Sequence, residues 1–359
     1  MPVTNRTLWL LAELRDQIGG ATDNAVRDLA GAWVTAWDEL SEAWQQAITE
    51  VVDVFLATGV WPPPWKLARV ARLNATAVAT QQSLTALTAA TVTAAGAGVD
   101  QAIAATVVAE PLVMASQLPA NLAAAALKTY SHNIAPTALE AIALRAKQQI
   151  TVTTWPLSAE ATEAVRRSLI KGVAVGDNPR TAARDMLRRV EGDFNGGLAR
   201  AQNVARTEIL DAYRDASAHV HWANRDVLDG WTWLSALDPR TCGACWGMHG
   251  THHPLTQPGP WGHQSCRCAR APKVKTWREL GIDIDEIDDE TPNAEDEFAA
   301  LDETAQRAIV GPRRLAMLKA GQISLADLPV LKPNPGWRPS YVPRNLAQLD
   351  QVVRRRRTS

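Results

Sequence analysis

The sequence predicts a mainly α protein: an elongated helical N-terminal region, a small α+β Cys/His module with short strands, and a charged C-terminal tail. Three observations lead there. Apolar residues recur at helical intervals through the first half, all four cysteines fall between Cys242 and Cys268, and charge separates near the end of the chain. At 359 residues there is room for more than one packed unit. With 46% apolar and 21% charged residues, a wholly disordered or collagen-like chain is excluded.

The boundaries follow composition and pattern. Residues 1–150 form the helical N-terminal region. Within it Trp33, Trp37, Leu40, Trp44, Val51 and Phe55 recur at three, four and seven residue intervals, with Asp38, Glu39 and Glu42 on the other side. That helix should stop at Trp61-Pro62-Pro63-Pro64, because consecutive prolines lack backbone donors, and a second should start near Trp65. From Leu73 to Leu127 the chain is rich in Ala and Thr, which predicts long close-packed helices broken near Gly96-Ala97-Gly98 and Glu110-Pro111. The uncharged run Leu73 to Val99 is long enough for a bilayer, but its Asn, Gln and six Thr residues argue against a membrane span. Met1 to Asp16 lacks the pattern of a signal peptide, so a reducing cytoplasm is the expected compartment.

Residues 151–224 read as more helix: Ser158 to Gly172, a turn to Asn178, a helix opened by Pro179, and another from about Gly197 to Ala223. On the last, Glu208, Asp211 and Asp215 share one face, which reads as a solvated face paired to arginines such as Arg214. His219 and His221, two apart, point to different sides and make a poor ligand pair.

Residues 225–280 carry the chemistry. Trp231 to Ser235 alternates as a short strand, followed by a turn at Asp238-Pro239. Then come Cys242-Gly-Ala-Cys245 and Cys266-Arg-Cys268, with His263 before the second pair and His249, His252 and His253 between the pairs. A C-x₂-C turn offers two thiolates to one ion, and a second close pair completes a tetrahedron, so structural Zn²⁺ is the leading reading. Disulfides or plain buried thiols, and a catalytic or redox metal, remain alternatives. The deaminase pattern is missing, since no histidine is followed by x-Glu. Five donors, Cys242, Cys245, His263, Cys266 and Cys268, compete for four positions; Cys242, Cys245 and Cys268 lead, with Cys266 and His263 contending for the fourth.

Beyond the module, residues 281–304 form an acidic linker: from Ile282 to Thr304 there are eleven acids and no base. Residues 305–328 form a short helical segment and 329–359 a Pro-rich basic tail; from Ala305 onward there are eleven bases against two acids. Pro329 to Pro343 should hold the tail extended, presenting Arg354, Arg355, Arg356 and Arg357 as a nucleic-acid contact.

The order of these motifs resembles one family. Ala205-Arg206-Thr207-Glu208, Trp231-Thr232-Trp233, Asp238-Pro239-Arg240-Thr241-Cys242-Gly-Ala-Cys245, Met248-His249-Gly250 and His263-Gln-Ser-Cys266-Arg267-Cys268 are similar, together, to the phage Mu F-like minor head proteins, also called the phage head morphogenesis or minor capsid family. The resemblance covers roughly Ser158 to Pro272, and Val310 to Arg314 with Gly321 to Leu325 resembles the short tail that often follows. It implies a structural, non-catalytic component of a tailed-phage head near the portal vertex, assembled in the host cytoplasm and carried in the virion. Its implied partners are the portal, and scaffold or major capsid protein; DNA is the partner expected of the basic tail. Competing classes are a capsid maturation protease, a toxin-like transferase fused to such a domain, and a cellular zinc-dependent nucleic-acid-binding protein. The sequence offers no catalytic triad, phosphate loop or carboxylate dyad for the enzymatic readings.

Overall fold

A computed structural model describes residues 3–60, 70–132, 135–153, 179–335 and 337–358. The stop at Trp61 to Pro64, the restart near Trp65, the helix from Ser158 to Gly172 and the turn after it lie outside the described residues.

The first half is helical. Helix α1 runs over Asn5–Thr58, α2 over Ala71–Ala115, α3 over Ala120–His132, α4 over 136–153 and α5 over Pro179–Ala223. Two expected breaks are absent. Helix α2 passes through Gly96-Ala97-Gly98 and Pro111 because tertiary packing outweighs the intrinsic cost of glycine, about 1 kcal/mol per residue. A Cβ on Gly98 would lie 2.5 Å from Ile209 Cδ1, and Ala95, Val99 and Ala102 are fully buried. Its threonines bury by donating to carbonyls one turn back, as Thr88 does to Leu84 and Thr91 to Leu87. By composition and length α2 could cross a membrane; 39% of its most apolar stretch is buried in the protein. Helix α5 is likewise unbroken where two helices were expected, and Gly192, Gly196 and Gly197 lie within it.

The chain divides into two compact units, each built from separated stretches. One comprises Ala21–Asp100 and Leu144–Ile209. The tryptophan seam lies here: Trp33 and Trp44 are buried, Trp33 Nε1 donates to Phe194 O at 3.2 Å, and Trp44 Nε1 donates to Thr80 Oγ1 at 3.0 Å. Phe194 also meets the Trp37 ring at 5.4 Å, so the seam is intramolecular core.

The other unit comprises Met1–Gly20, Gln101–Ala143 and Leu210–Ser359. Strands β1 (Leu228–Leu234), β2 (His252–His253) and β3 (Ala269–Val274) form an antiparallel sheet ordered β2-β1-β3. Trp233 pairs with Arg270, and Trp231 with both His253 and Pro272. The side chain of Gln117 donates to Pro272 O and accepts from Val274 N, closing the outer edge of β3. Between β1 and β2 lies the short helix α6 (Gly243–Met248). Helices α7 (Ala294–Ala300), α8 (Glu303–Val310) and α9 (Pro312–Lys319) follow β3.

The proline-rich stretch is not an extended arm. It forms a hairpin of β4 (Pro329–Asn334) and β5 (Trp337–Pro343), a two-stranded ribbon in which prolines cost few ladder bonds. Helix α10 (Leu346–Thr358) then carries the arginine run. Leu349 anchors it, fully buried in a core with Trp246, Phe298, Val310, Leu315, Ile323, Leu325 and Leu328.

Candidate metal centre

Helix α6 starts at a cysteine because the chain turns there around sulfur. Cys242 is its N-cap, and its Sγ accepts from the Cys245 backbone N–H at 3.5 Å, so the C-x₂-C turn points both thiols the same way. The second pair arrives from the start of β3, and the five sequence-predicted donors line one cleft. Within it Cys242, Cys245 and His263 form one group and Cys245, Cys266 and Cys268 another, ligand atoms in each lying within 4.8 Å of one another. Cys245 Sγ and Cys266 Sγ are 3.7 Å apart. Two sulfurs bound at about 2.3 Å to one tetrahedral zinc stand about 3.8 Å apart.

The surroundings fit a metal. A Cβ on Gly262 would lie 2.1 Å from Cys266 Sγ, so only glycine leaves that sulfur its place. Arg214, buried on α5, donates to the carbonyls of Cys266 and Cys268 and to Asp211 Oδ1 at 2.8 Å. Arg338 of β5 grips the same Asp211 in bidentate fashion, at 2.6 and 2.9 Å, and reaches Gly262 O at 2.8 Å. Asp211 is therefore a buried junction, not part of a solvated acidic face. Its single negative charge serves two guanidiniums, and thiolates or a thiolate-rich metal complex supply the remainder.

Arg267 pairs with both oxygens of Asp238 at 2.7 and 2.8 Å and, with Thr241, holds that carboxyl down at about 2. Ser235 Oγ donates to Cys245 O at 2.7 Å and lies 3.3 Å from Cys268 Sγ. These contacts fix the loops that bear the sulfurs, as outer partners of a metal site do.

The thiols do not titrate alike. Hydrogen bonding from Cys245, then from His263, lowers Cys242 to about 5; Cys245 and Cys268, with Arg214, hold Cys266 well below the usual thiol range. Cys245 is raised by giving its proton to its neighbours, and burial raises Cys268. The neighbouring Cys242 sulfur raises His263 to about 9. Thiolates are thus already favoured at two of the four sulfurs, and metal binding would expel the remaining protons.

The other histidines stand elsewhere. His249 accepts from Ser235 N and meets Pro292 O, His253 stacks on Trp231 at 4.3 Å, and His252 lies near Asp229. His221, which sequence reasoning dismissed, is fully buried: Nε2 meets Glu110 Oε2 at 2.9 Å and Nδ1 accepts from Arg270 at 3.2 Å. Spacing gave no hint of it, because Glu110 and Arg270 are remote in sequence; an ionisable residue on the apolar side of α5 was the available signal. Arg354, Arg355 and Arg356 are exposed on α10, and Arg356 pairs with Asp327 at 2.9 Å.

No curated protein and no solved structure gives a significant match to this chain. A family model does: residues 163–271, which include all five candidate ligands and make up a little under a third of the chain, are similar to the family described as Phage Mu protein F like protein.

Proposed function

We propose that the protein is a minor capsid component of a tailed bacteriophage, acting structurally at or near the portal vertex while the head assembles. The observation that carries this is the Mu F-like match, which ends within β3 and spans both cysteine pairs. In this reading the partners are the portal protein, and scaffold or major capsid protein. The protein is made in the host cytoplasm and stays in the virion.

The metal is structural zinc, held by Cys242, Cys245, Cys266 and Cys268, with His263 as the charge partner of Cys242. Zinc would supply a cross-link between the α6 turn and the start of β3, and no catalytic step. Cys266→Ser should therefore abolish metal binding while His263→Gln retains it.

Two observations weigh against hydrolytic chemistry. Both ring nitrogens of His221 are engaged, by Glu110 and Arg270, so neither can serve Ser217 one turn away as a base. The pair is also fully buried. Arg354 to Arg357 on α10 supply a basic surface for packaged DNA.

Quantitative mass spectrometry of purified virions, with co-purification against the portal oligomer, tests the assignment. A low-copy virion protein that pulls down portal supports it. Absence from heads and no portal association would reject it.

A further inference from the structure

The four sulfurs of the candidate metal centre are not equally sheltered. Cys245, Cys266 and Cys268 are buried while Cys242 is only partly so, which makes it the sulfur most open to oxidants and alkylating reagents. His263 stands on the same flank. Its ring forms a group with Cys242 and Cys245 just as the three buried sulfurs form one, ligand atoms lying within 4.8 Å in each, and Cys245 belongs to both. Nδ1 donates to Gln264 O at 2.6 Å, which leaves Nε2 as the nitrogen able to turn a lone pair to a metal. That is the pose of a metal-ligating histidine, whose other nitrogen ordinarily donates to a carbonyl or carboxylate. The backbone keeps the ring in place. Cys266 N donates to His263 O at 3.1 Å, closing a tight turn through Ser265, whose φ of 59° is uncommon outside glycine. Arg338 and Arg214 hold the carbonyls of Gly262 and Cys266 on either side of that turn.

We propose that His263 is a reserve ligand: when the Cys242 sulfur is removed or blocked, the ring takes the fourth position beside Cys245, Cys266 and Cys268, and the centre keeps its metal. This rests on the structural-zinc reading given above and extends it. Four thiolates hold the ion in the intact protein, and three thiolates with one imidazole hold it without Cys242. Both donor sets are ordinary for structural zinc. The most exposed sulfur is thereby expendable, so damage at that position does not open the module.

Cys242→Ser tests this, because serine keeps the N-cap of α6 while removing the sulfur. Co²⁺ serves as the spectroscopic stand-in for zinc. Wild-type protein should show the absorption of a four-thiolate centre. Cys242→Ser should still bind one Co²⁺, with weaker sulfur-to-metal charge transfer and ligand-field bands moved to shorter wavelength by the nitrogen. His263→Gln alone should leave the affinity within about threefold of wild type, whereas the same change in the Cys242→Ser background should lower it at least about tenfold. A metal-free Cys242→Ser protein, or equal effects of His263→Gln in both backgrounds, would overturn the proposal. Cys242→Asn, another strong N-cap, repeats the reading, and failure of both variants to fold with metal present would count against a reserve ligand too. Wild-type protein that binds no Co²⁺ would instead reject the zinc reading, and this proposal with it.

Discussion

Gly262→Ala places one methyl group against the candidate metal centre. The added Cβ would sit 2.1 Å from Cys266 Sγ and 2.5 Å from Cys266 Cβ. Ordinary contact between such atoms begins near 3.5 Å, so the cysteine would have to retreat by more than about 1 Å. Metal–sulfur bonds tolerate about 0.2 Å. Retreat is resisted as well, since Arg214 holds the Cys266 carbonyl and Arg338 holds that of Gly262. Displacing a ligand should weaken zinc binding at least as much as losing an outer-shell partner does, about 10- to 100-fold. Competition against a chromogenic chelator in reducing buffer measures this. Gly192→Ala is the control: it sits exposed inside α5, nothing lies within 4 Å of its added Cβ, and it should gain up to about 1 kcal/mol of stability with unchanged metal affinity. Wild-type zinc affinity in Gly262→Ala would refute the geometric reasoning.

Trp246→Ala should cost about 3–5 kcal/mol in chemical denaturation, because its fully buried indole joins α6 to Phe298, Leu325, Leu328 and Leu349; a loss under about 1 kcal/mol would contradict that role. Asp238 titrates at about 2 in the folded chain against 3.8 unfolded, so its contribution is present above pH 4 and lost as pH falls toward 2. Asp238→Asn should remove about 1 kcal/mol at pH 7 after allowance for its partial exposure, and flatten the acid limb of a stability-against-pH curve. If α10 binds duplex DNA through about three phosphates, the log–log salt slope should be near −3 without sequence preference. Replacing Arg354, Arg355 and Arg357 with serine should flatten that slope while Leu349 keeps the helix docked.

Much of this was legible because it is local. Periodicity marked α1 around Trp33, Trp37 and Trp44, and the cysteine spacing marked the cleft in which the four sulfurs and His263 gather, since a C-x₂-C turn determines its own geometry. What failed was non-local. Gly98 and the glycines of α5 read as breaks because the cost of glycine is intrinsic while its compensation comes from packing, as with Ile209 against Gly98. Pro329 to Pro343 read as an extended linker because proline removes donors, yet Val330–Val342 and Leu331–Tyr341 pair in register around them. Leu346, Leu349 and Val353 at helical spacing were the signal that the arginine run lies on a packed helix. Asp211 read as one of three surface carboxylates because its second partner, Arg338, is 127 residues away.

In the proposed reading the clustered cysteines hold one metal ion that organises the module of α6 and β1–β3. Metal analysis of the purified protein, by elemental mass spectrometry alongside native mass spectrometry, tests this. The expected result is one zinc per chain, retained through dialysis in reducing buffer and released only with loss of structure around α6 and β3. A metal-free protein with four freely titratable thiols and an unchanged melting temperature after chelator treatment would contradict it.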